Sequence, residues 1–476
     1  MREAAGDDRS SDDTKRVSRR EFAKTSVAAG TAALALPGKL LASDLAARAE
    51  GRPLRSAESS GEGSWTHGMA IPAEYYLDDD HYLNDERYIA ANYWQFVDQA
   101  SRIRNPGDFF VFEFGRSESI LIVRGQDGEV RGFHNVCRHR GSRLCRHDAD
   151  EVPGDPRLSV KQLGQSGSSP VFRCPYHAWT YDTEGSLIYA YGMQDDFDPT
   201  DNGLIPCHLQ VVEGQIFVSL ADDPPELEPR VTWFRQTNDI YNLPDLKVAA
   251  RELIPVKANW KLVIENWAEC YHCGPAHTSL VTTHYYNEEM SNEQHAQQAA
   301  RVKEWVGDKG KFHSREDEDF PEHINGTGYL NPGYLTGSLD GKPVAPLLPG
   351  IEEWNHNNDG TDTYWSSGYW QTYNDHVLVI RFTPRDIELT DCEFVWLVHP
   401  DAVEGRDYDP DNVKALWYVT FLEDLWIVEN NHIGIKSAAY RPGRYSIYED
   451  GGGGAAGFVK WYMDEVVPPD MRPDLA

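Results

Sequence analysis

Two groups of residues in this chain could hold metal. The first is Cys137-Arg138-His139, paired with Cys174-Pro175-Tyr176-His177. The second is Glu269-Cys270-Tyr271-His272, followed by His277. Thiolates are soft, anionic donors suited to iron–sulfur chemistry, and imidazoles are neutral ones. Two Cys and two His in short-range pairs are the donor set of a 2Fe-2S cluster in which one iron takes the imidazoles, which raises its reduction potential. Cys137 and Cys174 would hold the inner iron, His139 and His177 the outer one. Zinc is the other metal that such pairs bind. The flanks read NVCRHRG and RCPYHAW, which predicts two ligand loops at hairpin tips with Gly141 and Pro175 as their turn residues. The long intervening stretch, rich in Gly, Ser, Asp and Pro over 149–170, reads as a surface loop of modest entropic cost.

The second group asks for a different metal chemistry. From Asn259 the chain reads NWKLVIENWAECYHCGPAHTSL, with Trp260, Val263, Ile264 and Trp267 at helical spacing. Glu269 and His272 are three apart, which predicts a shared helix face. Gly274 and Pro275 should end or bend that helix and swing His277 back toward His272. Two His and one carboxylate with open positions is the ligand set of ferrous iron (Fe2+) oxygenases, where dioxygen and substrate approach together. Either histidine alone would be an ordinary core or surface residue; the pair points to metal. The carboxylate must come from downstream. Phe421–Gly434 reads FLEDLWIVENNHIG, expected near a helix start, and Asp424 is the choice, with Glu423 and Glu429 as alternatives. Glu269 suits a carboxylate that accepts the free N–H of a ligand imidazole; the plainer reading is a helix-surface acid.

Together these motifs resemble the Rieske non-haem iron oxygenases, specifically their catalytic α subunit, over about 88–462. The resemblance implies an α+β protein: an all-β Rieske domain, then a helix-grip catalytic domain with an antiparallel sheet wrapped on helices. It implies a ring-shaped homotrimer, with or without a small β subunit, in which Glu269 links a cluster histidine of one subunit to an iron histidine of the next. Glu269 within ECYHC, and the SAAYRPGRYS stretch with Glu449, look more like the branch acting on quaternary amines than the branch acting on aromatic rings. Hydroxylation or demethylation of a small aromatic or quaternary-amine substrate follows as the implied activity. A Rieske electron-transfer protein without oxygenase activity is the alternative, but it leaves the second metal motif unexplained.

The 476 residues suit two or three domains, and 40% apolar content supports real cores. Cys145, Cys207, Cys270, Cys273 and Cys392 lie at no regular spacing and read as buried thiols, not a disulfide framework. A net charge of −31 argues against nucleic acid and anionic membranes. It accords with a cationic substrate or with a saline habitat. There is no Gly-rich dinucleotide fingerprint and no ferredoxin-type Cys run, so a separate reductase or ferredoxin must supply electrons.

The first fifty residues are of another kind. Ser18-Arg19-Arg20-Glu21-Phe22-Ala23-Lys24 precedes an Ala-rich apolar run, Val27–Leu36. This is a twin-arginine export signature with an apolar segment too short to span a bilayer. It predicts export of the folded protein; cytoplasmic residence is the alternative.

The expected organisation is thus a signal over 1–50, a linker over 51–83, a Rieske domain with a leading helix over 84–226 and a catalytic domain over 227–476. Asn84–Ala100 is expected as the helix, Phe109–Val123 as strands, GQDG at 125–128 as a hairpin turn and Val211–Leu220 as one strand. Leu253–Lys257, His376–Arg381, Phe394–His399 and Leu416–Phe421 are expected as strands of the catalytic sheet. Trp365, Tyr369, Trp370 and Tyr373 could line a cation pocket, or simply fill the sheet's inner face.

Overall fold

The computed structural model describes residues 66–472, apart from 147–162, 285–322, 329, 332, 356–358, 365–366, 447–448 and 450–453. The signal segment and the expected linker up to residue 65 lie outside the described residues, as does most of the 149–170 stretch. Helices α1 (Glu74–Leu77) and α2 (Asp79–Asn92) open the fold. Asp78 caps α2 by accepting from the Asp80 amide at 2.8 Å. The leading helix therefore starts earlier than expected and stops at Asn92. Residues expected to continue it form strand β1 (Gln95–Gln99), buried throughout, because a run burying every side chain fits a strand covered on both faces better than an amphipathic helix.

Three small sheets build the cluster-bearing half. Strands β2 (Asp108–Phe114), β3 (Glu118–Arg124), β4 (Val130–His134) and β5 (Ser166–Ser168) pair in the order β4-β3-β2-β5. Strands β6 (Val171–Arg173), β7 (Thr180–Asp182) and β8 (Leu187–Tyr189) form the second sheet. The expected single strand at 211–220 is two, β9 (His208–Val212) and β10 (Gln215–Ser219), which join β1. Glu213 and Gly214 both take positive φ there and turn the chain back.

Helix α3 (Glu228–Asn238) leads into the catalytic half. Its six-stranded antiparallel sheet runs β11 (Lys247–Val256), β16 (Leu389–Val398), β15 (His376–Asp386), β14 (Gly368–Thr372), β13 (Asp359–Tyr364) and β12 (His323–Gly328). Against it pack α4 (Trp260–Trp267) and the long α7 (Pro410–Ile435); the short α5 (Cys273–Ala276) packs on α6 (Thr278–Thr283), α6 on α7, and α8 (Ala455–Trp461) on α4. This is a mixed α+β fold, with antiparallel sheets before a larger helix-and-sheet domain. Leu416–Phe421, expected as a strand, lies inside α7. Asp409 caps that helix and Pro410 opens it, and the aromatic run that suggested alternation falls at helical spacing instead.

Two buried charge groups tie the parts together. Asp98 on β1 meets Arg251 on β11 at 2.8 Å and Arg102 at 2.6 Å; Glu393 on β16 meets Arg381 on β15 at 2.5 Å. Three guanidiniums on two carboxylates hold the Asp98 carboxyl well below its ordinary range despite its burial. Deeper in, Lys261 on α4 pairs with Asp85 on α2, and Tyr462 donates to Asp85 at 2.8 Å. Tyr76 on α1 donates to Glu265 on α4 at 2.6 Å. Residues from Ile71 onward, expected as linker, are thus built into the catalytic core.

Candidate metal centres

The cluster residues sit on two loops of the same construction. In the first, the Cys137 amide donates to the Ser142 carbonyl at 2.8 Å and the Gly141 amide to the Cys137 carbonyl at 2.9 Å. In the second, the Cys174 amide donates to the Trp179 carbonyl at 2.8 Å and the Ala178 amide to the Cys174 carbonyl at 3.1 Å. Gly141 and Ala178, four residues after each cysteine, both adopt left-handed φ, +75° and +61°. Gly141 and Pro175 are both turn residues as expected, and Ala178 closes the second turn in the left-handed conformation that Gly141 supplies in the first. Only the second loop tips a hairpin, between β6 and β7. The first is held by Asn135, whose buried side chain accepts from the Leu144 and Cys145 amides and donates to the Cys145 carbonyl.

The four side chains come together. Cys137 and Cys174 are buried free thiols. The His139 and His177 rings lie 4.7 Å apart, and His139 stacks on Trp179. His139 Nδ1 is buried with no hydrogen-bond partner, which suits a nitrogen that serves a metal. Tyr181, buried beneath, accepts from the Arg138 amide at 3.0 Å and lies 3.4 Å from Cys137 Sγ. Burial pushes the Cys137 thiol up, so the thiolate needs the cluster's positive charge. These residues fit a 2Fe-2S cluster.

The iron residues follow α4, which Asn259 caps by accepting from the Lys261 amide. Glu269 and His272 do not share a helix face, because α4 ends at Trp267 and both sit in the turn before α5. The turn still brings them together, with His272 Nδ1 at 2.5 Å from Glu269 Oε1. His277 ends α5 and is almost wholly buried. Asp424 arrives from the middle of α7. Its Oδ1 lies 3.1 Å from His277 Nε2 and 3.2 Å from His272 Nε2. Glu423, weighed as an alternative ligand, instead meets His277 Nδ1 at 2.8 Å. Glu429 accepts from the Lys257 amide and does not reach the site.

One carboxylate thus faces both Nε2 atoms, and two others hold the opposite Nδ1 atoms. This fixes each imidazole with Nδ1–H donating and the Nε2 lone pair turned toward Asp424. Asn266 Nδ2 lies 3.2 Å from His272 Nε2 and completes the rim. Burial works against a charged His272, but Asp424 and Glu269 outweigh it and bring its pKa to about 9. His277 is raised in the same way, chiefly by Asp424, and the two imidazoles draw the Asp424 carboxyl down against its burial. Metal entry must therefore displace protons. Two imidazoles and one carboxylate converging, with each imidazole backed by an acid, fit a mononuclear ferrous iron.

Cysteine accounting differs from expectation. Cys270 and Cys273 form a disulfide, and Cys270 is exposed. The flanking turn brings their Cα atoms to 4.9 Å, within disulfide reach. Cys273 Sγ nonetheless lies within 4.8 Å of one ring nitrogen of His272 and one of His277.

The expected aromatic quartet divides. Trp370 faces away, packing on Phe96 and Phe234, because alternate residues of β14 face opposite sides. Trp365 lies outside the described residues. On the iron side, Trp267 stands 5.3 Å from Tyr369 and 5.9 Å from Trp417. Tyr373 accepts from the Trp417 indole at 2.8 Å. The residues that sequence reading missed were Asn135, Tyr181, Asn266 and Trp417. Asp424 carried a usable signal: it continues the buried stripe Val413, Trp417, Thr420, Phe421 and Val428 on α7, and an acid on an apolar face needs a partner.

Two families match this arrangement. Residues 93–197 match the Rieske 2Fe-2S domain, and residues 243–467 match the catalytic domain of the ring-hydroxylating α subunit. The chain is 31% identical to a glycine betaine monooxygenase oxygenase subunit of Pseudomonas aeruginosa, over 87% of this chain and 93% of that one. This chain belongs to the Rieske oxygenase catalytic subunits. A second glycine betaine monooxygenase oxygenase subunit, from Chromohalobacter salexigens, is 33% identical over 84% of this chain and 86% of its own. The fold is similar to that of a quaternary ammonium Rieske monooxygenase solved with γ-butyrobetaine, with TM-score 0.59, 23% identity and coverage of 83% and 93%. It is also similar to a naphthalene 1,2-dioxygenase, with TM-score 0.59, 19% identity and coverage of 85% and 93%. The protein is therefore an oxidoreductase that combines a 2Fe-2S relay with a mononuclear iron, acts with dioxygen on a small organic substrate, and takes electrons from a separate donor.

Proposed function

We propose that this oxygenase subunit monooxygenates a quaternary amine and releases one N-methyl group as formaldehyde. The observation that carries the reading is its identity of 31–33% with glycine betaine monooxygenase oxygenase subunits along most of the chain. The site's chemistry agrees. Three acids, Glu269, Glu423 and Asp424, surround the iron histidines, and the rings of Trp267, Tyr369 and Trp417 clustered nearby are of the type that holds a cation.

In this reading Cys137, Cys174, His139 and His177 hold the cluster, and His272, His277 and Asp424 hold the iron. Held there, the cluster would supply electrons and the iron would supply the place where dioxygen is activated. The chain's own residues do the rest. Glu269 and Glu423 keep the Nδ1 protons in place, so that both imidazoles stay in one tautomer and orientation. Buried Asp424 contributes the single negative charge that offsets the metal's. The balance is one C–H, one O2, two electrons and two protons in, with a carbinolamine and water out. The carbinolamine then breaks its C–N bond to formaldehyde and a tertiary amine.

Glu269 is the route by which an electron leaves a neighbouring subunit's cluster for His272, within a homotrimer. Exposed Val136 and Tyr176 beside the cluster, and Tyr271, Leu422 and Trp426 beside the iron site, support such an assembly. The twin-arginine segment supports export, and a disulfide accords with an oxidising compartment.

The test is single turnover of chemically reduced protein with oxygen, offering glycine betaine, carnitine, naphthalene and salicylate in turn. Formaldehyde and a tertiary amine from a quaternary substrate are expected. Oxidation of an aromatic with no quaternary amine consumed would overturn the substrate class.

A further inference from the structure

The disulfide brackets the iron site. Cys270 and Cys273 enclose Tyr271 and His272, and Glu269 immediately precedes them. Cys270 is exposed to solvent, while Cys273 is buried. An exposed cysteine joined to a buried one suits thiol–disulfide exchange: an incoming thiolate attacks the sulfur of the accessible residue and the buried one leaves. The buried sulfur has somewhere to go. Cys273 Sγ and one ring nitrogen from each of His272 and His277 all lie within 4.8 Å of one another. One metal ion can reach all three atoms after a small side-chain movement. While the disulfide is closed, that sulfur has no thiolate to give.

We propose that Cys270–Cys273 is a thiol–disulfide exchange site that sets the ligands of the iron. Closed, it leaves His272, His277 and Asp424 as the donors, with positions open for dioxygen. Opened by a dithiol protein or small dithiol, it frees Cys273 to bind as an additional thiolate and fill one of those positions. The exchange takes two electrons: the S–S bond breaks, the donor dithiol closes to its own disulfide, and its two protons pass to the two cysteines. Cys273 then loses its proton on meeting the metal. The pair's position explains why it serves as a switch: Cys273 adjoins His272 in the chain. Cys137 and Cys174 sit on the cluster loops, and Cys392, buried on β16, is near enough to Asp424 to feel its charge but does not join the group that Cys273 forms with the imidazoles.

The inference rests on the iron-site assignment above, and one experiment separates the two. Iron-loaded full-length protein is reduced at its cluster and exposed anaerobically to nitric oxide, with the disulfide closed or after dithiothreitol treatment. Alkylation mass spectrometry reads the cysteines, and metal analysis reads iron content. An iron–nitrosyl resonance in the closed form is the readout of the iron site, and its absence would defeat that assignment first. With that signal present, dithiothreitol should make both cysteines alkylable in metal-stripped samples and remove most of the nitrosyl signal at unchanged iron content, reversibly on reoxidation. C273S should keep the full signal with or without dithiol. C270S should lack it without any treatment, because its Cys273 is never locked. A full nitrosyl signal in dithiol-opened wild-type protein overturns the proposal, whether or not either variant folds.

Discussion

The two metal centres are assembled in opposite ways. The cluster loops are local and nearly duplicate: two short turns, each closed on its own cysteine by a pair of backbone hydrogen bonds and a left-handed residue four places on. The iron site is composite. His272 and His277 come from one turn, but Asp424 and Glu423 come from α7, and on α4, which leads into that turn, Glu265 is held by Tyr76 from α1 and by Tyr445. A soft, buried thiolate–imidazole set needs only short-range chelation. A site that must admit dioxygen and substrate needs donors from separate elements, because open positions require that no single loop wrap the metal.

This contrast can be broken most sharply at Asp424. D424N should abolish iron binding at the mononuclear site and lower turnover by more than about 100-fold, beyond the roughly 10–100-fold effect of altering outer carboxylates. The visible and paramagnetic spectra of the cluster should stay intact. Loss of both metals together would mean that the two centres are not independently built.

E423Q sharpens the comparison by touching only the carboxylate behind His277. It should weaken ferrous iron affinity about 10–100-fold, measured by chelator competition, while the cluster remains loaded. An unchanged affinity would show that His277 needs no carboxylate to hold its orientation.

Glu265 extends the contrast to pH. Burial, despite two tyrosine hydrogen bonds, lifts its carboxyl from 4.5 to about 7. A folded-state pKa above the unfolded one means that the folded state binds the extra proton. Stability from this group is full below about 4.5 and lost as pH rises to about 7. The loss amounts to at most about 3 kcal/mol. Denaturant midpoints across that window should fall with pH in the wild type and flatten in E265Q.

The smallest effect belongs to the cluster loops. Ala178 takes a left-handed φ that costs an L side chain roughly 1–2 kcal/mol. A178G should therefore raise thermal stability by about 1 kcal/mol and G141A lower it comparably, read by calorimetry of cluster-loaded protein. A neutral pair of substitutions would mean that the cluster, not the turn, sets loop geometry.

Much of this site was legible in the chain. Cys137, His139, Cys174 and His177 announce themselves because their chelation is local, and chelating side chains must sit a few residues apart. The same holds for His272 and His277. The strand expected at 376–381 is the first half of β15, which runs on to Asp386, and the one expected at 394–399 is the second half of β16, which starts at Leu389 and ends at Val398. The leading helix was misplaced because fully buried strand residues carry no period. Leu416–Phe421 was misread as a strand because aromatic residues on a buried helix face mimic alternation over so short a window.

What the sequence by itself determined is the pair of donor sets, and with them the chemistry, since ligand type and spacing decide which metals can bind. Only the tertiary structure set Asp424, Glu423 and Glu429 apart from one another. All three sit within two turns of α7, but the helix's rotation buries Asp424 between the two imidazoles, turns Glu423 to the back of His277 and leaves Glu429 on the Lys257 amide. That rotation is set by packing the whole apolar stripe of α7 against the sheet, an energy spread over many contacts that no local run of residues encodes. The closing of Cys270 onto Cys273 was also decided there, because it depends on a turn of the backbone and not on the spacing alone.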